Sequence, residues 1–347
     1  MAYTTIKKPS DYFNTKLYSG NGSTQSITGV GFQPDLLWQK SRSNAYGNMW
    51  FDAVRGASQR LMSNTTGGES GTSPDSITSF DSDGFSLGAD IAVNGNGTTN
   101  VAWNWKANGA GVANTDGSIS STVSANTTSG FSIVSYSGGG SFGDTVGHGL
   151  NSVPAMIIVK CTSASSDWYI WQKNMGANDN QFMAFNTSAL QTSGATIFDV
   201  SAMSNTTFTL GTNIDVNGSG RTFVAYCFAE KKGFSKFGSY IGNGSTDGTF
   251  VYTGFKPAFV IVKVTSSANS WTIQDNIRNI NNPVSNYLLA DSSSAEGTAG
   301  LDLDFVSNGF KVRTTSGAVN DSGASYIYMA FAENPLVGTN NIPATAR

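Results

Sequence analysis

The side chains that most often carry out catalysis are scarce in this chain. Among its 347 residues there is one histidine, His148, and there are two cysteines, Cys161 and Cys227. A Ser-His-Asp triad would have to run through His148, and no Gly-x-Ser-x-Gly turn is evident to supply its nucleophile. We therefore interpret His148 as a solvated loop residue. The three residues are too few for a tetrahedral Cys/His zinc site. The spacing of the cysteines does not decide whether they form a disulfide.

Carboxylates are the second source of chemistry, because glycoside hydrolysis needs two of them beside the scissile bond. Glu230 and Glu333 occupy equivalent places just past a strand-like run, which favours a structural role in the turn that follows. Asp81-Ser-Asp83 and Asp302-Leu-Asp304 resemble fragments of calcium loops, but an EF-hand beginning at Asp81 would have Ala92 where it needs Glu. We predict solvated turns there, with an irregular calcium site as the alternative, and no catalytic, cofactor-binding or metal-binding residue.

Composition indicates what kind of scaffold surrounds these residues. Charged residues make up 12% of the chain, aromatic residues 12%, and there are 40 glycines with a net charge of −3. Few charges, many turn formers and scattered aromatics are typical of short strands rather than of disorder. The 20 Lys and Arg residues form no dense run, so nucleic acid is not an expected partner. No apolar stretch is long enough for a membrane span, and the first residues do not resemble a signal peptide.

One sequence unit occurs three times. Three segments align without gaps from a proline to a lysine: Pro34–Lys40, Pro154–Lys160 and Pro257–Lys263. Each is followed by a tryptophan, a second apolar segment and a closing strand-like run; the closing runs are Val101–Trp105, Val224–Phe228 and Ile327–Phe331. Many matched landmarks in one order are strong evidence for a repeat.

The repeats divide the chain into segments of about 100 residues, the usual size of a small domain. We predict an N-terminal arm at 1–11, repeat 1 at 12–107, an ordered loop or linker at 108–129, repeat 2 at 130–230, repeat 3 at 231–335 and a tail at 336–347. Repeats 2 and 3 abut almost without a spacer, which favours rigid packing between them.

The period within each repeat is two, and Asn-Gly pairs such as Asn217-Gly218 and Asn308-Gly309 predict hairpin turns with positive φ. Each repeat is therefore predicted to be an antiparallel β-sandwich of about seven or eight strands, jelly-roll-like or lectin-like in outline. The fold class is all-β. Helical periodicity is scarce, although a short helix is expected around Ser285 to Ala290.

The repeated lysines and tryptophans have structural and functional interpretations. Lys40, Lys160 and Lys263 end the three apolar strands, and snorkelling strand-end lysines are favoured over contacts with a charged partner. Trp50, Trp168 and Trp271 recur once per repeat, so core packing is favoured over sugar stacking. Aromatic residues that do not recur, such as Trp171 and Tyr12, are better candidates for surface or ligand contact.

Several segments resemble a known repeat family. They are Tyr18–Asp35, the turn Phe51–Gly56, and Phe234–Tyr240. The chain is similar to virion-associated repeat proteins of tailed bacteriophages, particularly those of marine and cyanobacterial hosts, over nearly its whole length. The resemblance implies a β-rich fold and a virion setting, with assembly in the host cytoplasm, and it implies no catalytic residues.

The expected function is that of a non-catalytic virion structural protein, a tail fibre or tail-associated appendage that contacts the host surface. The expected partners are other virion proteins and host-surface polysaccharide. A capsid decoration protein or head fibre is one alternative, and a carbohydrate-active enzyme is another. A homotrimer is expected because fibres and decoration proteins are commonly trimeric, unless the three internal repeats supply the threefold arrangement within one chain.

Overall fold

Strands dominate the protein, as predicted. The computed structural model describes residues 4–69, 73–175, 181–194 and 197–337. Its regular structure is almost entirely antiparallel strand, which confirms the all-β fold class. Most of the predicted tail, 338–347, lies outside the described residues.

Repeat 1 is a sandwich of two unequal sheets, preceded by a 3-10 turn at Pro9–Asp11. Its elements are β1 (Phe13–Ser19), β2 (Gln25–Thr28), β3 (Leu36–Ser41), β4 (Met49–Asp52), β5 (Gly56–Met62), β6 (Ile77–Asp81), β7 (Gly84–Leu87), α1 (Ile91–Asn94) and β8 (Thr99–Trp105). The large sheet has the order β1-β8-β3-β4-β5, and the small sheet has the order β2-β7-β6.

Repeat 2 keeps this plan and adds strands at its start. Its elements are β9 (Val112–Asn114), β10 (Ser121–Asn126), β11 (Phe131–Ser137), β12 (Thr145–Gly147), β13 (Met156–Cys161), β14 (Trp168–Gln172), β15 (Gln181–Ala184), β16 (Thr192–Ser193), a 3-10 turn (Val200–Ala202), β17 (Thr207–Thr209), α2 (Ile214–Asn217) and β18 (Thr222–Phe228). The large sheet has the order β16-β15-β14-β13-β18-β11-β10-β9, and β12 pairs with β17. The segment 108–129 is therefore not a simple loop, because β9 and β10 extend the sheet of repeat 2. Hydroxyl side chains around the buried Val123 obscured the alternation.

Repeat 3 has the same two sheets as repeat 1. Its strands are β19 (Ser235–Ile241), β20 (Phe250–Tyr252), β21 (Phe255–Val264), β22 (Thr272–Asp275), β23 (Leu288–Leu289), β24 (Leu303–Val306), β25 (Gly309–Val312) and β26 (Ser325–Pro335). The orders are β19-β26-β21-β22-β23 and β20-β25-β24. The helix expected around Ser285 to Ala290 is wrong: Leu288 pairs with Ile273 in the sheet, and this tertiary pairing overrides the local pattern.

The central strands of each large sheet are buried on both faces. In β18, Val224, Tyr226 and Phe228 point to one core, whereas Phe223, Ala225 and Cys227 point to another. A strand with both faces covered needs no polar face, which explains the continuous apolar runs in the sequence. The outer core of each repeat lies between its large and small sheets.

The inner faces of the three large sheets share one hydrophobic core. It combines aromatic side chains from all three repeats, including Trp38, Trp50 and Trp103 of repeat 1, Trp168 and Phe185 of repeat 2, and Trp271 and Phe331 of repeat 3. The Trp50 ring lies 5.3 Å from that of Trp168, and Trp271 lies 5.0 Å from Phe185. The three sandwiches therefore form one body around a common centre.

A buried asparagine organises the same corner of every repeat. Asn94, Asn217 and Asn320 are fully buried. The Oδ1 atom of each accepts a backbone N–H bond from the loop that follows β1, β11 or β19; the donors are Asn21, Gly139 and Asn243 respectively. Asn217 thus ends a short helix, and Gly218 has φ −62, so the hairpin prediction at Asn217-Gly218 is wrong. Each buried amide bonds several loop groups at once, so its own polar atoms are satisfied away from water.

Candidate functional site

The three repeated lysines join neighbouring repeats. Their ammonium groups are fully buried. Each donates to a main-chain carbonyl of a neighbouring repeat: Lys40 to Ser293 of repeat 3 at 3.1 Å, Lys160 to Thr66 of repeat 1 at 2.8 Å and Lys263 to Ser188 of repeat 2 at 3.2 Å. The prediction of snorkelling lysines is wrong, because a strand end that is exposed in an isolated sandwich is covered here by a loop of the adjacent repeat.

Main-chain bonds beside the lysines close the same ring. The N–H groups of Glu69, Gln191 and Glu296 donate to the carbonyls of Thr162, Thr265 and Arg42, at 2.7, 3.0 and 2.9 Å. Repeat 1 therefore contacts repeat 2, repeat 2 contacts repeat 3, and repeat 3 contacts repeat 1. We call this set of three lysines and three loops the latch ring.

Burial lowers the pKa of each latch lysine to about 8, whereas a lysine in the unfolded chain titrates near 10.4. Between these values the unfolded state binds more protons, so stability rises with pH. Relative to Lys160→Met, the wild-type protein is expected to gain up to about 1.4 kcal/mol of unfolding free energy per pH unit between pH 8 and 9.5. Urea unfolding across this range measures the difference. Lys7→Met, at an exposed position, should give a curve parallel to wild type, and parallel curves for Lys160→Met would contradict the prediction.

Buried ion pairs form a second set of contacts between repeats. Arg278 pairs with Asp275 and with Glu296, at 3.0 Å from the latter. Glu296 also pairs with Arg42 of repeat 1 at 2.8 Å, and the Trp103 Nε1–H of repeat 1 donates to Asp275 at 3.0 Å. Charges this deeply buried need such partners to be tolerated.

The same arrangement recurs between repeats 1 and 2. Arg55 pairs with Asp52 at 2.6 Å and with Glu69 at 2.9 Å, and the Tyr226 hydroxyl of repeat 2 donates to Asp52 at 2.8 Å. In repeat 2 the equivalent position holds Gln172, which donates to Gly238 of repeat 3 at 3.1 Å. The turn Phe51–Gly56 seen in the sequence is therefore a junction between repeats.

Among the described strands, only β20 in repeat 3 carries two exposed large hydrophobic side chains. Phe250 and Tyr252 are 45% and 54% exposed, and they point to the same side because they are two residues apart. Phe250 lies opposite Lys311, which pairs with Asp247 at 2.7 Å. This aromatic strand edge, defined by Phe250 and Tyr252, is the strongest candidate for an external contact.

Sequence reasoning missed this edge, although a signal was present. Register places Val251, Ile27 and Val146 at equivalent positions, each opposite a buried phenylalanine. The positions that match Phe250 and Tyr252 are then Ser26 and Thr28 in repeat 1, and Thr145 and Gly147 in repeat 2. An aromatic pair that replaces small residues at aligned positions was the departure to look for.

The chain matches a known family model over most of its length. A family model described as a domain of unknown function, DUF7483, matches residues 8–335. The chain belongs to the DUF7483 family. The match spans all three repeats, so the family unit is the complete ring rather than one sandwich. A search of curated proteins and a search of solved structures each found no match.

The histidine and the two cysteines of this DUF7483 chain, whose side chains could carry chemistry, are buried. His148 is not a solvated loop residue: it is fully buried, its Nδ1 accepts the Leu150 N–H at 3.1 Å, and burial lowers its pKa. Cys161 and Cys227 are free and buried. They lie on paired strands but out of register, since Cys161 is opposite Phe223.

The carboxylates of the DUF7483 chain are engaged in local contacts. Glu230 pairs with Lys173 and with Lys236, the latter at 2.6 Å, and Glu333 pairs with Lys256 at 3.3 Å. Asp83 accepts the N–H groups of Gly29 and Gly31, at 3.0 and 2.6 Å. Asp81 accepts the Ser79 and Ser86 hydroxyls, both at 2.7 Å, and Asp304 pairs with Arg313 at 3.3 Å. Within the described residues, no three His, Cys, Asp or Glu side chains group together as metal ligands would.

The candidate contact aromatics of the sequence have different surroundings. Trp171 is 8% exposed and belongs to the outer core of repeat 2, which leaves little of its ring for a ligand. Tyr12 is partly buried and packs edge-to-face on Phe234, 6.0 Å away. Trp50, Trp168 and Trp271 are core residues, as predicted. The described part of the chain contains no helix with the length and apolar character needed to cross a membrane.

Proposed function

We propose that this DUF7483 chain is a non-catalytic structural protein of a tailed-bacteriophage virion, acting as a tail fibre or tail-associated appendage that contacts the host surface. The observation that carries the proposal is the closure of three repeats around one aromatic core by the latch ring. A body of this kind holds its surfaces in fixed positions. That property suits a particle component that works outside the cell, and the resemblance of the sequence to virion proteins supports the same setting.

The local chemistry supports a non-catalytic role. One surface pocket formed by described residues has a volume of about 320 Å³ and contains Asp75 and Asp90. Asp90 is paired with Arg60 at 3.1 Å, and no aromatic residue lines the pocket. A glycosidase needs two carboxylates poised around a sugar, and sugar sites commonly present an aromatic face. A reducing-sugar assay on host polysaccharide is expected to show no release, and release that Asp90→Asn abolishes would favour the enzyme.

Labelling of intact particles tests the location. Antibodies against the purified protein, imaged by electron microscopy, are expected to decorate the tail or its fibres. Capsid-only decoration would favour a head fibre or decoration protein instead, and no decoration would reject the virion proposal. Particles disrupted and probed in parallel serve as the control, since they show whether a masked epitope accounts for a missing label.

The threefold arrangement inside the chain bears on the oligomeric state. Because the inner faces of all three large sheets are already covered by one another, a trimer is not needed to bury them. We therefore expect the isolated protein to be a monomer of 36.4 kDa. Size-exclusion chromatography with light scattering measures this directly, and a stable mass three times larger would instead support the homotrimer.

A further inference from the structure

The aromatic strand edge in repeat 3 has open main-chain groups as well as exposed rings. In the described residues β25 is the only strand that pairs with β20. Val312 N–H donates to Thr249 at 3.1 Å, and Thr253 N–H donates to Asn308 at 3.0 Å. Because bonding alternates along an antiparallel pair, the N–H and C=O groups of Phe250 and Tyr252 point away from β25, towards the open side.

Repeat 2 shows what occupies this side when it is covered. There the chain's own segment 117–119 runs beside β12, and Ile119 forms a parallel bridge with Val146. Ile119 N–H donates to the Thr145 carbonyl at 3.0 Å, and Ser118 N–H donates to the Thr145 hydroxyl at 2.8 Å. Thr145 is the equivalent of Phe250. The main-chain carbonyl of Phe250, which points to the open side, therefore corresponds to the carbonyl that accepts the Ile119 N–H in repeat 2.

The covering segment of repeat 2 comes from the residues between repeats 1 and 2. Repeat 3 follows repeat 2 almost directly, because β18 ends at Phe228 and β19 begins at Ser235. No comparable segment precedes repeat 3. In the described residues β7 is likewise the only strand that pairs with β2 of repeat 1, but this edge carries Ser26 and Thr28, whose small side chains offer little apolar surface.

We propose that β20 binds an extended peptide segment of a partner protein, which adds to the small sheet of repeat 3 parallel to β20. The peptide has an apolar residue facing the sandwich, as Ile119 does, and apolar β-branched residues on either side of it. Those flanking side chains lie beside Phe250 and Tyr252, and aromatic–β-branched neighbours stabilise a sheet. Main-chain bonds provide affinity and the two rings provide selectivity.

Two synthetic peptides test the proposal on the full chain. The first copies residues 114–121 of this sequence, and the second is the same peptide with Ser118→Val and Ser120→Val. We expect the second to bind about tenfold more tightly, from two additional cross-strand pairs. Amide shifts in NMR spectra of labelled protein are expected at Phe250 and Tyr252. A spin label at the peptide N-terminus should broaden the amide signal of Phe250 more than that of Tyr252. In a parallel pair the peptide N-terminus lies nearer the start of β20.

Matched variants separate the edge from the rest of the protein. Phe250→Pro removes an N–H that points outward, which an edge strand tolerates, and it should abolish peptide binding while leaving the other shifts unchanged. Phe250→Ser with Tyr252→Thr, which copies repeat 1, should remove the preference for the valine peptide. Ser26→Pro in repeat 1 should have no effect. Failure of both peptides to bind would overturn the proposal, as would binding of a glucan oligosaccharide at these rings without peptide binding.

Discussion

Replacement of Arg278 by methionine is expected to lower the free energy of unfolding by about 3–5 kcal/mol, the usual result of removing one partner of a buried ion pair. Arg278 and Asp275 both have fully buried side chains. The methionine would leave Asp275 without a cation and Glu296 with Arg42 as its remaining one. Equilibrium urea denaturation followed by tryptophan fluorescence measures the loss.

Three control variants identify the cause of that loss. Arg278→Lys keeps the charge but not the planar fork, so an intermediate loss is expected. Lys8→Met breaks an exposed pair with Asp11, and it should change stability by less than about 0.5 kcal/mol. The double variant Asp275→Asn with Arg278→Met removes both charges, and it should lose less than the sum of the single variants. Additive losses would mean that the two side chains act independently.

The sequence was informative wherever a pattern repeated three times. The Pro-to-Lys segments correctly indicated sheet strands, and the recurrence of Trp50, Trp168 and Trp271 correctly indicated core positions. Both inferences rest on the residue pattern within one strand and on the comparison of that strand with its two aligned copies. The all-β class followed from the same local chemistry, because β-branched and aromatic residues between turn formers favour strands.

Sequence reasoning failed wherever one repeat acts on another. Lys40, Lys160 and Lys263 were expected to reach solvent, since nothing local shows that a loop from the adjacent repeat covers each strand end. His148 was expected in solvent because glycines flank it, yet tertiary packing buries it. The aromatic strand edge was missed for the opposite reason: Phe250 and Tyr252 resemble core residues until the register shows which way they point.

The ring of repeats also makes a prediction about cooperativity. The Trp50 ring contacts Trp38 of its own repeat, and Trp168, Phe185 and Tyr226 of repeat 2. Trp50→Ala is expected to cost about 3–5 kcal/mol, as large-to-small changes at buried aromatics do. Because the cavity would open in a core that the repeats share, hydrogen exchange should accelerate in β14 and β18 of repeat 2 as well as in β3 and β4 of repeat 1.

A matched change in an outer core shows whether the shared core is responsible. Phe85 is fully buried between the two sheets of repeat 1, so Phe85→Ala should be destabilising by a comparable amount. In Phe85→Ala, the amides that exchange faster by local opening, without global unfolding, are expected to lie within repeat 1. The cavity would not reach the neighbouring repeats. If Trp50→Ala also left the exchange of β14 and β18 unchanged, the repeats would be energetically separate despite their contacts, and the latch ring would hold together three independent domains. Spread of the Trp50 effect into repeat 2, with the Phe85 effect confined to repeat 1, would show that the common core couples the three sandwiches into one folding unit.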